Sequence, residues 1–168
     1  ILAVTSATEL RQANPWLIYL LPAGGVLISG LYWISNLEGE GTNNIIDSIH
    51  EGERLPILLV PIIFISTAVT HLLGGSAGRE GAALQIGGSM GYGVGSLLGL
   101  DDKDMRIITL SGMSAVFAAL FGTPLTATIF ALEVISVGIL YYSAFIPCLV
   151  SSLVAYAVSR LCGIVPMS

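Results

Sequence analysis

Charged residues are scarce in this sequence. They make up 10% of the 168 residues, and hydrophobic residues make up 54%, whereas an ordinary soluble domain carries about 25% charged residues. The chain has only six Lys plus Arg, too few for a basic nucleic-acid surface, so we expect no nucleic-acid partner. The net charge of −5 comes from connectors between apolar segments. This composition indicates a protein embedded in a lipid bilayer.

The sequence has only two cysteines and no visible N-terminal signal peptide. Cys148 and Cys162 lie in one apolar segment, which favours two buried thiols over a disulfide or a metal site. The chain opens on ILAVTSATEL, without a methionine or a basic start, so no signal peptide is visible. From the two cysteines we expect no metal, and we expect no other cofactor. Because the chain opens without a methionine, we interpret it as part of a longer protein.

Apolar segments occupy most of the chain. A helix needs about 20 residues to cross a bilayer, and the sequence predicts the end of an earlier helix at 1–6 and a short helix at 44–50. The remaining apolar segments cover 16–37, 56–73, 81–98, 105–121, 124–142 and 144–161. The sequence therefore predicts an all-α, multi-pass membrane protein in which residues 1–168 form a single transmembrane module.

Several predicted helices are short or contain Gly and Pro. Inside a membrane such breaks are tolerated where the freed backbone is buried in protein or lines an aqueous cavity. Many transporters hold anions at the N-termini of such broken helices. Broken and tilted helices therefore indicate a transport pathway and argue against a purely structural membrane subunit.

Two further features of the apolar segments favour structural roles. Gly87, Gly91 and Gly95 recur every four residues, a spacing that lets a second helix approach closely. His71 stands alone near the end of its segment, where a hydrogen-bonded structural role is more common than proton transfer. The sequence therefore predicts a helix-packing face and a structural histidine.

The stretch GGSAGREGAALQIGG places charge at the start of a helix. The first N–H groups of a helix lack intrahelical partners and carry a partial positive charge, so they attract anions. Glycines such as Gly78 and Gly81 allow an ion to approach this backbone. The pattern favours an anion site at this helix start.

Glu80 would compete with an anion for that site. As a carboxylate it can occupy the helix start and exclude anions, and as a neutral acid it loses that attraction and can swing away. Glu80 is therefore a candidate gate and proton carrier. The alternative is a structural salt bridge in which Arg79 neutralises Glu80.

A second candidate anion site precedes the short helix. Thr42, Asn43 and Asn44 stand at its start, and residues of these types commonly cap helices. Plain capping explains one of the three residues. An asparagine amide offers two N–H donors, so this second helix start is a candidate to coordinate a small, strongly hydrated anion.

A membrane enzyme that binds phosphate through the glycine-rich loop is a distant alternative. A phosphate-binding loop has a lysine and a Ser or Thr after its glycines, and this stretch has neither; it also lacks an acidic pair for a metal. We therefore expect that the protein is not an enzyme and has no catalytic residues.

GGSAGREG, the downstream AVFAALFGTPLTATIFALE and the order of broken helices together resemble the CLC family of chloride channels and proton-coupled anion antiporters. The resemblance covers the chain from about residue 16 to the end. It implies an inverted-repeat fold of which this chain is the N-terminal half, truncated at both ends. It also implies a homodimer in the cell (inner) membrane that transports fluoride or chloride ions and protons.

The resemblance assigns roles to individual residues. Glu80 matches the gating glutamate of the family motif GREGP, with Ala82 in place of the proline. The motif GSGIP matches GTNNI, so Asn43 takes the place of the pore serine, or Thr42 if the register differs by one residue. An asparagine at this position, combined with THLLGGSAGREG, resembles the fluoride-exporting branch of the family, which exchanges fluoride for protons. The alternative is a chloride channel or chloride transporter of the same fold.

The internal proton glutamate of chloride/proton antiporters has no match. Alignment through IFALEV places Val134 on that position and Glu133 one residue before it. Glu133 is therefore predicted to be structural, bonding backbone N–H groups, and Arg79 to hold the glycine-rich loop rather than the ion.

Overall fold

The computed structural model describes residues 2–39, 41–51, 54–76, 78–135 and 141–164. Within these ranges all regular secondary structure is helical, as predicted. A 3-10 helix at Pro15–Leu20 accompanies eight α-helices: α1 Leu2–Ala13, α2 Leu21–Ile34, α3 Thr42–Glu51, α4 Leu59–Leu72, α5 Arg79–Leu98, α6 Asp102–Phe121, α7 Pro124–Glu133 and α8 Tyr142–Leu161.

Local signals set several helix ends. Helix α6 begins after Asp101, whose Oδ1 accepts a hydrogen bond from the Asp104 N–H at 2.9 Å, and this satisfies one unpaired donor of the first turn. Helices α5 and α6 end at Gly99 and Gly122, with φ of 66° and 72°. Glycine adopts this left-handed conformation readily. The chain can therefore reverse sharply on both sides of α6.

Among the described residues, three helical stretches are long and apolar enough to cross a membrane. They are the continuous stretch Pro15–Ile34, α6 and α8, and helices α4 and α7 are apolar but shorter. At a rise of 1.5 Å per residue, the 10 residues of α7 reach only about half of a hydrocarbon core of about 30 Å. Short apolar helices therefore lie among membrane-length ones, in agreement with the predicted broken-helix architecture.

Two predicted segments had the wrong length. Helix α7 ends at Glu133 rather than continuing to 142, and residues 134–135 form a turn. Residues 136–140 of the predicted segment lie outside the described part of the chain, and the turn at 134–135 shows that an apolar segment can continue past the last backbone hydrogen bonds of its helix. Helix α1 continues to Ala13 instead of ending near residue 6, because its exposed last turns tolerate the polar residues Glu9 and Gln12. The short helix predicted at 44–50 is confirmed as α3.

Helices α5 and α6 pack backbone to backbone through the predicted glycine face. A Cβ atom added at Gly87 would lie 2.5 Å from the Gly112 carbonyl oxygen, and one added at Gly91 would lie 2.5 Å from that of Ile108. At Gly95 the nearest atom would be Met105 Sδ, at 2.6 Å. The prediction of a close-packing glycine stripe is therefore confirmed.

Buried hydroxyl groups join α6, α7 and α8. Ser114 on α6 hydrogen-bonds Ser152 on α8 and donates to the Cys148 carbonyl oxygen at 3.2 Å, and Thr128 on α7 donates to Ser152 Oγ at 3.2 Å. Helices in a membrane gain stability from such bonds. Cys148 is buried, as predicted, but Cys162 is exposed because it lies in the turn after α8, so the prediction of two buried thiols was wrong for Cys162.

Candidate anion-binding site

A glycine-rich loop joins α4 to α5. Gly74 has a φ of +88°, a conformation that favours glycine, and the Gly75 N–H bonds the Thr70 carbonyl oxygen at 2.8 Å. A Cβ atom at Gly75 would lie 2.7 Å from Thr70 Cγ2. Both glycines are therefore needed to turn the chain away from α4, after which Gly78 takes an extended conformation and α5 begins.

Glu80 lies in the first turn of α5, and its side chain is exposed. Its Oε2 atom would be 3.3 Å from a Cβ atom built on Gly78, so the carboxylate folds back beside the residue that caps the helix. Gly81 and Ala82 follow in the same turn, and both are half-buried. A negative charge is favourable there because the helix dipole is positive at this end.

Arg79 connects the start of α5 to α4. Its Nε–H group donates to His71 Nε2 at 3.2 Å, and His71 Nδ1 lies 2.8 Å from the Thr67 carbonyl oxygen. The sequence predicted that Arg79 holds the glycine-rich loop, and this hydrogen bond joins the residue after that loop to an imidazole nitrogen on α4. His71 is hydrogen-bonded through both ring nitrogens, as predicted, and its structural role stays a prediction.

The second helix start is formed by α3. Asn44 Oδ1 accepts a hydrogen bond from the Gly41 N–H at 3.0 Å, which is the reach-back half of a capping box. Capping therefore accounts for Asn44, one of the three polar residues. The backbone of Thr42 and Asn43 belongs to α3, and their side chains lie outside the described part of the structure.

Helix α3 packs against the middle of α5. A Cβ atom at Gly88 would lie 3.1 Å and 3.3 Å from two carbons of Ile45. The connector before α3 contributes Leu37 to an apolar cluster against which Ala82 and Ile86 of α5 pack. Helix α3 and the connector before it therefore pack directly against α5, so the two helices that carry the candidate sites are in contact.

An apolar cavity extends beside the start of α5. Its volume is about 790 Å³, and Thr67, Arg79 and Ala82 are among the residues that line it. Glu133 lies elsewhere, half-buried at the last residue of α7, a helix that packs against α6 and α8. In the part of the chain that the structure describes, no group of three or more His, Cys, Asp or Glu side chains could hold a metal ion.

The helices and their composition define the class as an all-helical membrane protein with short helices packed among membrane-length ones. The family model described as voltage gated chloride channel matches residues 24–167. The chain therefore belongs to the voltage gated chloride channel family, and the resemblance inferred from GGSAGREG and the downstream motif is confirmed.

Individual relatives extend this result. A chloride/fluoride channel protein of Pseudomonas syringae pv. tomato is 40% identical over 98% of this chain and 37% of its own length. The H(+)/Cl(−) exchange transporter ClcA of Vibrio campbellii is 30% identical over 75% of this chain and 28% of its own length.

A solved structure has the same fold. The crystal structure of a CLC-type fluoride/proton antiporter superimposes with a TM-score of 0.92 at 34% identity, over 99% of this chain and 42% of that one. The chain thus spans about two fifths, or less, of the length of the relatives that it matches.

Proposed function

We propose that the complete protein exports fluoride in exchange for protons and that this chain is the N-terminal half of its transport subunit. The observation that carries the proposal is the Glu80 carboxylate folded beside Gly78 at the start of α5. The similarity to a fluoride/proton antiporter and to a chloride/fluoride channel protein supports fluoride as the anion.

The proposed exchange depends on the charge of Glu80. The ionised carboxylate competes with fluoride for the partial positive charge at the helix start. A proton removes that attraction, so the side chain leaves and fluoride approaches the N–H groups near Gly78, Gly81 and Ala82. When the proton is released on the other side of the membrane, the carboxylate returns and expels the anion. Each cycle thus links proton movement to fluoride movement in the opposite direction.

The start of α3 supplies the second set of donors in this proposal. Asn43 is the candidate for the amide that faces the anion because it takes the place of the family's pore serine, with Thr42 as the alternative, while Asn44 caps the helix through its side-chain oxygen. Fluoride is small and strongly hydrated, and a site for it must replace water with several N–H donors. An amide provides two such donors, whereas a serine hydroxyl provides one.

A chloride channel or chloride transporter is the second candidate function. The similarity to an H(+)/Cl(−) exchange transporter favours it. It differs from the first proposal in the preferred anion, which the ratio of fluoride to chloride flux measures directly.

The remaining parts of the proposal concern setting and assembly. We place the protein in the cell (inner) membrane as a homodimer surrounded by lipid, and we expect no enzymatic activity and no cofactor. Arg79 and Glu133 have structural roles in it. For Glu133, the bonding to backbone N–H groups stays a prediction.

Transport by the complete protein in lipid vesicles tests the function. We expect fluoride efflux to drive proton uptake, and Glu80→Gln to abolish that proton movement because an amide cannot exchange a proton. Glu9→Gln, on the exposed surface of α1, is the matched control and should retain coupling. Continued proton pumping by the Glu80→Gln variant would rule out Glu80 as the proton carrier, and an intrinsic preference for chloride would favour the second candidate.

A further inference from the structure

The imidazole of His71 lies between a group that only accepts and a group that only donates hydrogen bonds. The Thr67 carbonyl oxygen, 2.8 Å from Nδ1, requires a proton on that nitrogen, and the Arg79 Nε–H, 3.2 Å from Nε2, requires a lone pair there. The neutral ring with its proton on Nδ1 is the form that satisfies both partners. The second hydrogen bond of the ring thus selects its tautomer.

The surroundings of this pair strengthen the bond. His71 is 9% exposed, Arg79 is half-buried, and Thr67 and Arg79 line the same largely apolar cavity. A hydrogen bond to a charged group is stronger in apolar surroundings, and losing its acceptor is correspondingly more costly. Breaking the hydrogen bond from Arg79 to His71 is therefore costly in free energy.

The bond bridges the loop that precedes the candidate gate. Arg79 stands directly between Gly78, the cap of α5, and Glu80. The loop itself offers little stiffness, because Gly74, Gly75 and Gly78 have no side chains and glycine has the widest conformational freedom. A side-chain bond from Arg79 to the last turn of α4 compensates for this by fixing the first residue of α5.

We propose that His71 is a positioning residue for the gate: by accepting the Arg79 Nε–H it sets the direction in which the first turn of α5 presents Glu80. The inference rests on the proposed role of Glu80 as gate and proton carrier. His71 itself transfers no proton in this scheme and does not touch the anion. Losing it should loosen the return of the carboxylate to the helix start and allow fluoride to pass without a proton.

Two substitutions separate this role from general packing. His71→Gln retains an acceptor at the position of Nε2, whereas His71→Asn retains only a donor near Nδ1 and is too short to reach Arg79. In vesicles containing the complete protein, we expect His71→Gln to keep the wild-type ratio of protons to fluoride. In His71→Asn we expect uncoupled fluoride leak to rise by roughly tenfold to a hundredfold, the range that corresponds to one charge-assisted hydrogen bond.

The outcomes distinguish this inference from the proposed function. If His71→Asn remains as tightly coupled as wild type while Glu80→Gln is uncoupled, His71 has no positioning role and the function stands. If Glu80→Gln stays coupled, Glu80 is not the proton carrier and the premise of the inference fails; if the wild-type protein does not couple fluoride to protons, the proposed function fails. Adding His71→Asn to Glu80→Gln should not raise the fluoride leak above that of Glu80→Gln alone, because His71 acts through Glu80; a further rise would overturn the inference.

A spectroscopic measurement on the wild-type protein tests the hydrogen bond directly, without a transport assay. Nitrogen-15 NMR of the complete protein with labelled histidine, assigned by comparison with His71→Gln, should show a protonated Nδ1 and an unprotonated Nε2 for His71. Arg79→Met should then shift the Nε2 resonance because its donor is lost. A wild-type ring protonated on Nε2 would overturn the inference.

Discussion

Replacing Gly91 with alanine tests whether backbone contact between α5 and α6 holds the helices that carry the candidate site. The new Cβ atom would lie 2.5 Å from the Ile108 carbonyl oxygen and 3.0 Å from Thr109 Cα. Both atoms belong to the backbone of α6, so neither can move aside by a rotamer change. The helices would have to separate by several tenths of an ångström along their buried contact.

The size of the effect follows from a matched control. Overpacking of this kind costs about 1–3 kcal/mol, whereas alanine in place of glycine inside a helix gains about 0.5–1 kcal/mol. Gly25→Ala in α2 has the same helix gain and meets no atom within 4 Å. The difference in stability between the two variants therefore isolates the cost of overpacking. We expect Gly91→Ala to be less stable than Gly25→Ala by about 1–3 kcal/mol.

Thermal unfolding in detergent, followed by circular dichroism, measures this difference. Gly25→Ala should melt at or slightly above the wild-type temperature, and Gly91→Ala clearly below it. Equal melting temperatures for the two variants would show that α5 and α6 do not pack at the distance that the glycine stripe implies.

Two further predictions concern selectivity and the buried hydroxyl groups. Asn43→Ser should lower the ratio of fluoride to chloride flux by roughly tenfold to a hundredfold, equal to about 1.5–3 kcal/mol for one charge-assisted hydrogen bond; an unchanged ratio would favour the chloride alternative. Ser114→Ala should destabilise the protein by about 1 kcal/mol because it removes a bond shared by α6 and α8, whereas the exposed Ser96→Ala should not; equal denaturation midpoints would contradict this.

The membrane class, the all-α fold and the family could be predicted because their signals are local or compositional. Helix starts are set by residues within one turn, so the glycine loop before Arg79 and the polar residues in the first turn of α3 were recognisable without tertiary structure. The packing role of Gly87, Gly91 and Gly95 followed from helical periodicity alone. For the candidate site, the sequence determined which helix starts and which carboxylate to consider.

Helix ends inside apolar sequence could not be predicted in the same way. Hydropathy shows the extent of an apolar segment but not where the backbone hydrogen bonds of its helix stop. The apolar segment 124–142 therefore did not indicate that α7 ends at Glu133. Cys162 was misplaced for a related reason, because an apolar neighbourhood in sequence does not determine which side chains other helices cover.

Hydrogen-bond partners on different helices were decided by the tertiary structure alone. The bond from Arg79 to His71 spans the α4–α5 loop and forms because the fold of that loop brings a donor and an acceptor within 3.2 Å. Ser114 and Ser152 meet because α6 and α8 pack against each other. Composition and local pattern indicate that these polar groups need hydrogen-bond partners in an apolar environment. Which partners they obtain is determined only by the packing of the helices.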